Sequence, residues 1–180
     1  PTDLALSSNS IAENSAIGTA VGTLSATDPD SGNTFTYSLV SGTGDTDNAS
    51  FTVDGTSLKT VVALDYETKN SYSIRLNVND GVNDYAESFN IAITDVNESP
   101  TDLSLSSRSI TENSTIGSVI GTLTTTDPDN NNTFTYSLVS GSGDSDNASF
   151  TIDGTSLKTA VSLDYETKNS YSIRLNVNDG

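Results

Sequence analysis

The sequence is 180 residues long, room for one large domain or two of ordinary size. It contains no cysteine, histidine, methionine or tryptophan, which excludes disulfides, Cys/His zinc sites, Ser-His-Asp and Cys-His catalysis, and c-type haem attachment. Asp and Glu number 24 against 7 Lys and Arg, a net charge of −17 that is unfit to bind nucleic acid or an anionic membrane surface.

In chain order, seven short strands are predicted in the first hundred residues, near 4–11, 20–27, 34–40, 51–53, 57–62, 72–79 and 85–94. The second holds Val21 and Leu24 out of phase around Gly22-Thr23, so a bulge is predicted there to re-aim the side chains. In the third, Phe35, Tyr37 and Leu39 alternate with Thr36 and Ser38. Asp54-Gly55 between the fourth and fifth has the chemistry of a tight hairpin turn. The sixth alternates Tyr72, Ile74, Leu76 and Val78 with Ser73, Arg75, Asn77 and Asn79, and the seventh sets Phe89, Ile91 and Ile93 on one face. No segment carries an apolar stripe of helical period and length. Seven short strands in about 100 residues predict a β-sandwich.

The chain then repeats itself. Residues 100–180 match residues 1–81 at an offset of 99 without insertion or deletion, and only 16 of the 81 positions differ. A unit of that length is a whole domain rather than a solenoid turn. The expected domains are 1–99 and 100–180, the second truncated before its last strand. The missing counterpart of Phe89, Ile91 and Ile93 should leave apolar surface and an unpaired sheet edge. Either a strand from another chain fills that groove, or the second unit is the looser of the two. The absence of methionine suggests an internal piece of a longer chain, with Pro1 a cut point and no signal peptide to be expected. No run of about 18 apolar residues is present to span a membrane.

If successive strands run alternately up and down, the acidic residues sort into two poles. Glu13, Asp65, Glu67 and Asp95 fall at the far pole of unit 1; Asp28, Asp30 and Asp80 fall at its near pole. By the offset, Asp127, Asp129 and Asp179 lie at the near pole of unit 2. Only Glu98-Ser99-Pro100 joins that pole to the far pole of unit 1. Like charges ~4 Å apart cost about 1 kcal/mol each in water-like surroundings and about 4 at an effective dielectric near 20. Such a joint needs cations, and oxygen ligands in groups of six to eight suit Ca²⁺.

These residues carry a family resemblance. Each unit resembles an extracellular cadherin repeat, of the bacterial cadherin-like kind. The motifs are Glu13-Asn14 and Glu112-Asn113, Asp28-Pro29-Asp30 and Asp127-Pro128-Asp129, Leu64-Asp65-Tyr66-Glu67 and Leu163-Asp164-Tyr165-Glu166, Asp80 and Asp179, and the linker Asp95-Val96-Asn97-Glu98-Ser99-Pro100. Ala12 and Thr111 replace the family's Pro, and Tyr66 and Tyr165 its Arg. The linker is one residue short. The resemblance implies an all-β fold of tandem seven-stranded antiparallel Greek-key sandwiches, cadherin- or immunoglobulin-like. It further implies that Glu13, Asp65, Glu67, Asp95, Asn97, Asp127, Asp129 and Asp179 bind up to three Ca²⁺, with Asn132 adding a backbone carbonyl. Outer half-sites would comprise Asp28, Asp30, Asn33 and Asp80 at one end and Glu112, Asp164 and Glu166 at the other.

Plainer readings compete at several positions. Asp45 and Asp47, with Asp144 and Asp146, read as an ordinary Asp/Asn-rich loop. Tyr37 and Tyr72 lie in apolar phase and read as core rather than as part of a sugar-stacking platform with Tyr66 and Tyr85. The sequons at Asn48 and Asn113 are expected by chance in so Ser/Thr-rich a chain. Nothing singles out Lys59 for an isopeptide cross-link. The expected function is a calcium-stiffened extracellular stalk or adhesive segment of a large surface or secreted adhesin. Its expected partners are neighbouring repeats of the same chain, and the alternative is a glycan- or self-binding module. The strand exchange that this family performs with an N-terminal Trp is not inherited, since the chain has none. An enzyme is not expected: Asp65 and Glu67 have glycosidase-like chemistry but no separate cleft.

Overall fold

The computed structural model describes residues 1–32 and 34–180. The chain divides into two compact units, Pro1–Val96 and Asn97–Gly180.

Unit 1 is a sandwich of two four-stranded sheets. Its strands are β1 (Asp3–Leu6), β2 (Ser10–Ala12), β3 (Ala20–Thr27), β4 (Thr36–Leu39), β5 (Phe51–Asp54), β6 (Ser57–Thr60), β7 (Ser71–Asn79) and β8 (Asp84–Thr94). One sheet has the order β1-β3-β6-β5 and the other β2-β8-β7-β4. The first strand expected from sequence is thus two strands, one in each sheet. β1 pairs antiparallel with β3, whereas β2 lies parallel to β8, with Ser10 opposite Ala92 and Ala12 opposite Thr94. Every other pairing in the unit is antiparallel. A single 3₁₀ turn, Asn48–Ser50, precedes β5.

The crossover between β1 and β2 explains Gly22. The register of β3 against β6 slips between Ala20 and Gly22, the predicted bulge, and both Val21 and Leu24 are thereby turned into the core. Ser8 of the crossover passes directly over the bulge: a Cβ on Gly22 would lie 2.7 Å from Ser8 O and 2.9 Å from Ser8 N. The β5–β6 hairpin closes through Gly55-Thr56 between the paired Asp54 and Ser57, and Gly55 takes the left-handed φ of +60° that the turn needs.

Alternation decides the core. Tyr72, Ile74, Leu76 and Val78 of β7 and Ile91 and Ile93 of β8 are buried, and Phe89 packs against them partly exposed. They meet Leu4, Leu24, Phe51, Leu58 and Leu64 from the facing side. Burial contributes about 1.5–3 kcal/mol for each such side chain. Asn77, on the outer face of β7, is also covered, because its Nδ2 donates to Asp84 Oδ1 at 2.8 Å. Tyr72 stands edge-on to Phe51 with ring centres 5.7 Å apart, under the Lys69 ammonium, and Tyr37 also packs against the core.

Unit 2 has β9 (Asp102–Leu105), β10 (Val119–Thr126), β11 (Thr135–Leu138), β12 (Phe150–Asp153), β13 (Ser156–Thr159) and β14 (Leu175–Asn178). Its first sheet, β12-β13-β10-β9, reproduces that of unit 1; its second is only β11-β14. The 180 residues stop at Gly180, the counterpart of Gly81, short of the positions that match β8. The segments that match the neighbours of β8 are correspondingly shorter as strands. Residues 109–111, the counterpart of β2, form no strand, and residues 170–174, identical to the first half of β7, form none either. A strand without a ladder partner loses the hydrogen bonds that define it. Leu103, Ile120, Phe150, Tyr171, Ile173, Leu175 and Val177 are all part-exposed where their unit 1 counterparts are buried.

Candidate metal centre

The far pole of unit 1 is organised by Glu13. Alternation continues inward from Ile11, so β2 ends by directing this carboxylate into the unit, where it is 2% exposed. Tyr66 N–H donates to Glu13 Oε2 at 2.7 Å and Val96 N–H donates to Oε1 at 2.8 Å. One side chain therefore holds both the Asp65-Tyr66-Glu67 turn and the chain leaving β8. Asn14 follows in a left-handed conformation, φ 54°, which Asn tolerates better than other non-glycine residues. Its N–H donates to Leu64 O at 3.1 Å. Asp65 accepts from Thr68 N–H and Thr68 Oγ1, both at 2.9 Å, and these bonds hold its carboxyl below the usual range. Glu13 and Glu67 offer carboxylate oxygens within 4.8 Å of each other. Asp95 follows β8 on the exposed surface.

Unit 2 repeats this pole. Tyr165 N–H donates to Glu112 Oε2 at 2.9 Å, Asn113 has φ 55°, and Thr167 Oγ1 donates to Asp164 Oδ2 at 2.7 Å. Glu112, Asp164 and Glu166 each direct an oxygen into one cluster in which all three atoms lie within 4.8 Å of one another. Ca²⁺–oxygen bonds of 2.3–2.6 Å put ligands on opposite sides of an ion about 5 Å apart, so the cluster has the dimensions of a calcium half-shell.

The near pole of unit 1 brings Asp28 and Asp80 together beside Pro1. The Pro1 ammonium is 2.7 Å from Asp28 Oδ2 and 3.5 Å from Asp80 Oδ2. The amine's hydrogen bond, reinforced by Asp30 N–H at 2.7 Å, pulls the Asp28 carboxyl below its ordinary range. Asp80 is lowered chiefly by the Asn83 and Val82 N–H groups that cap it. The bond to Asp28 raises the amine in turn. Asp30 is exposed and reaches the pair only through its backbone. Asn33, the remaining member of this half-site, lies outside the described residues.

In unit 2 the near pole gathers five of the predicted residues. Asp129 N–H donates to Asp127 Oδ1 at 2.9 Å, Glu98 N–H donates to Asp129 Oδ2 at 2.6 Å, and Asn97 Nδ2 donates to Asp179 Oδ2 at 3.2 Å. Asp127 Oδ2, Asp129 Oδ1 and Asn132 Nδ2 are fully buried and have no hydrogen-bond partner. Leaving a buried polar group unsatisfied costs about 1–3 kcal/mol, and more for a charged group. Orphaned carboxylate oxygens are the hard donors that a divalent cation such as Ca²⁺ takes. The Asn132 amide nitrogen is orphaned as well, and turning the amide over would present an oxygen in its place.

Sequence reasoning did not find the backbone donors at Tyr66 and Val96, the Pro1 amine, or the side-chain amide of Asn132. The signal for the first was present: Glu13 lies in inward phase two residues beyond Ile11. Asp45 and Asp47 are drawn into the loop's own structure. Asp45 Oδ2 accepts from Gly42 N–H at 2.9 Å, while Asp47 pairs with the Lys69 ammonium and accepts from Ser73 N–H at 2.8 Å.

The Cadherin domain model matches residues 7–96 and 106–180. The chain belongs to the cadherin family. Cadherin domains are typically calcium-dependent extracellular adhesion modules, and here two stand in tandem. Human Protocadherin Fat 4 is 32% identical over 182 residues, covering 95% of this chain but only 4% of that protein. Human Protocadherin alpha-2 is 34% identical over 127 residues, covering 65% of this chain and 13% of that protein. The chain thus spans a small fraction of these animal relatives. Among solved structures, human Protocadherin-24 EC1-2 superposes with a TM-score of 0.74 at 25% identity, covering 94% of this chain and 81% of that one. This cadherin chain has, among its described residues, no helix long and apolar enough to cross a membrane.

Proposed function

We propose that the chain is a calcium-binding, calcium-stiffened tandem module from the stalk or adhesive segment of a large cell-surface or secreted adhesin, with no enzymatic role. Repeat 1 is assigned to 1–99 and repeat 2 to 100–180. The observation that carries the reading is the pair of buried, unpartnered oxygens on Asp127 and Asp129. A carboxylate oxygen held out of water with no hydrogen-bond partner is costly unless a cation meets it. The assigned ligands are Glu13, Asp65, Glu67, Asp95, Asn97, Asp127, Asp129, Asn132 and Asp179, for up to three Ca²⁺. The outer half-sites are Asp28, Asp30, Asn33 and Asp80, and Glu112, Asp164 and Glu166. The motif order and the 4.8 Å cluster at Glu112, Asp164 and Glu166 support this assignment.

Near-identity of the two repeats supports a role in length and stiffness, since separate recognition sites would call for divergence. The finer assignment to the bacterial cadherin-like kind rests on the motif resemblance alone, and the relatives that the chain matches are animal protocadherins. The partners under this reading are neighbouring repeats of the same chain. Recognition of a surface glycan or of another copy is the alternative, and a glycan screen distinguishes it. Extracellular calcium modules bind with a Kd of about 10⁻⁴–10⁻³ M, and that range is expected here. Calorimetry should detect calcium binding to the chelator-treated chain, and small-angle scattering should show its dimensions fluctuating less once calcium is added. Glu67→Ala should weaken both effects and Asp45→Ala neither. No binding at millimolar calcium, with unchanged scattering, would overturn the proposal.

A further inference from the structure

The second sheet of unit 1 ends on β4, which has four residues beside the nine of β7. β4 covers β7 from Leu76 to Asn79, so the outer edge of β7 at residues 71–75 has no strand beside it. On that edge Ser73 and Arg75 turn their N–H and C=O groups outward, and all of these groups are satisfied. Val40 N–H, just past β4, donates to Arg75 O at 3.0 Å. Arg75 N–H donates to Asn48 Oδ1 at 2.9 Å, Ser73 N–H donates to Asp47 Oδ2 at 2.8 Å, and Asp47 N–H donates to Ser73 O at 2.9 Å. Two side-chain oxygens thus stand where the carbonyls of a neighbouring strand would stand. Both are fixed from behind: Asp47 by the Lys69 ammonium, and Asn48 by its own Nδ2, which donates to Val40 O at 2.9 Å. The amide of Asn48, part of a glycosylation sequon, is thereby engaged at both ends. Unit 2 builds the same arrangement. Ser172 N–H donates to Asp146 Oδ2 at 2.7 Å and Arg174 N–H to Asn147 Oδ1 at 2.9 Å, while Asp146 N–H reaches Ser172 O and Val139 N–H reaches Arg174 O, both at 3.0 Å.

We infer that Asp47 and Asn48 are an edge lock: they occupy the open edge of β7 and so keep it from pairing with the same edge of a second copy. Asp146 and Asn147 repeat the lock in unit 2. An uncovered edge is a template for another strand. This edge fits itself. Antiparallel pairing of two copies about Ser73 is two-fold symmetric, and it sets each Arg75 opposite a Ser71 rather than opposite the other Arg75. Tyr72 and Ile74 would stay in their own core, so the pairing disturbs no apolar contact of the sandwich. The inference is independent of calcium.

The test is the 180-residue chain carrying Asp47→Ala and Asn48→Ala together, compared with the unaltered chain by amide exchange and sedimentation over a range of concentrations. At low concentration the Ser73 and Arg75 amides should exchange about 10-fold faster, since each loses its acceptor. Tyr72 and Ile74, whose ladder runs to β8, should keep their protection. At high concentration the variant should dimerise more than the unaltered chain does, and protection should return at Ser73 and Arg75. Asn48→Asp alone keeps an oxygen for Arg75 N–H, and it should leave both Arg75 protection and association unchanged. Association no greater than that of the unaltered chain, or a dimer that leaves Ser73 and Arg75 unprotected, would overturn the proposal. Loss of protection at Tyr72 and Ile74 together with the edge would also overturn it, because the pair would then hold the whole sandwich rather than its edge.

Discussion

Glu13 serves as a structural tie before it serves as a ligand. It is buried, and each of its oxygens accepts one backbone N–H, from Tyr66 and from Val96. Glu13→Ala would leave two donors without acceptors, at about 1–3 kcal/mol each. Urea unfolding in excess chelator should therefore show a loss of that order in unit 1, whereas Glu13→Gln should lose less, since it keeps one carbonyl acceptor. Because chelator removes any calcium contribution, the comparison isolates the tie. Asp47 offers a second residue-scale test. Desolvation pushes its carboxyl up, but the Lys69 ammonium and Ser73 N–H outweigh that, and the net direction is down. The folded state thus binds the proton more weakly than the unfolded state. The stabilisation is present above the ordinary Asp value of about 3.9 and is lost as pH falls through the lowered folded value. Asp47→Asn should be less stable at neutral pH and should flatten the acid limb of a pH–stability curve. Asp45, which accepts only a hydrogen bond within its own turn among the bonds described here, should have little influence.

At the scale of elements, the alternating strands were legible because period two needs only a few residues to declare itself. Tyr72 to Val78 and Phe89 to Ile93 are in the phase that their spacing predicts. The bulge at Gly22 was legible as a phase slip between Val21 and Leu24. Its reason was not, because the backbone that crowds Gly22 comes from Ser8, fourteen residues away and in a crossover that sequence read as continuous strand. The polar Ser7-Ser8-Asn9 run gives no hint that the strand changes sheets there. Of the candidate site, the acidic residues could be read from type and order, whereas the amide donors that hold them are backbone atoms and leave no mark on sequence. Gly22→Ala should cost about 1–3 kcal/mol through overpacking against Ser8, and Gly121→Ala should do the same against Ser107. Thermal unfolding of each variant checks the value. Gly18→Ala provides a contrast in which only the φ of +90° resists, since its Cβ meets nothing within 4 Å.

At the scale of the whole molecule, two units with 65 of 81 matched positions identical differ in how well their cores are covered. Leu103, Ile120, Phe150, Tyr171 and Ile173 are all wetter than their counterparts. Calorimetry of these 180 residues, which stop short of the positions matching β8, should resolve two transitions, the lower belonging to unit 2. Amide exchange should be faster at 170–174 than at the identical residues 71–75. A single transition with equal protection would show that the sheet edge is closed in some other way.

The parallel pairing of β2 with β8 has a mechanical meaning. These strands lie near the two ends of unit 1, and they run side by side in the same direction. Tension applied at the unit's ends therefore loads their bonds in shear, so that they must fail together. A hairpin pulled open from its end surrenders its bonds one after another. Under load, unit 1 therefore holds until this pairing gives way as a whole.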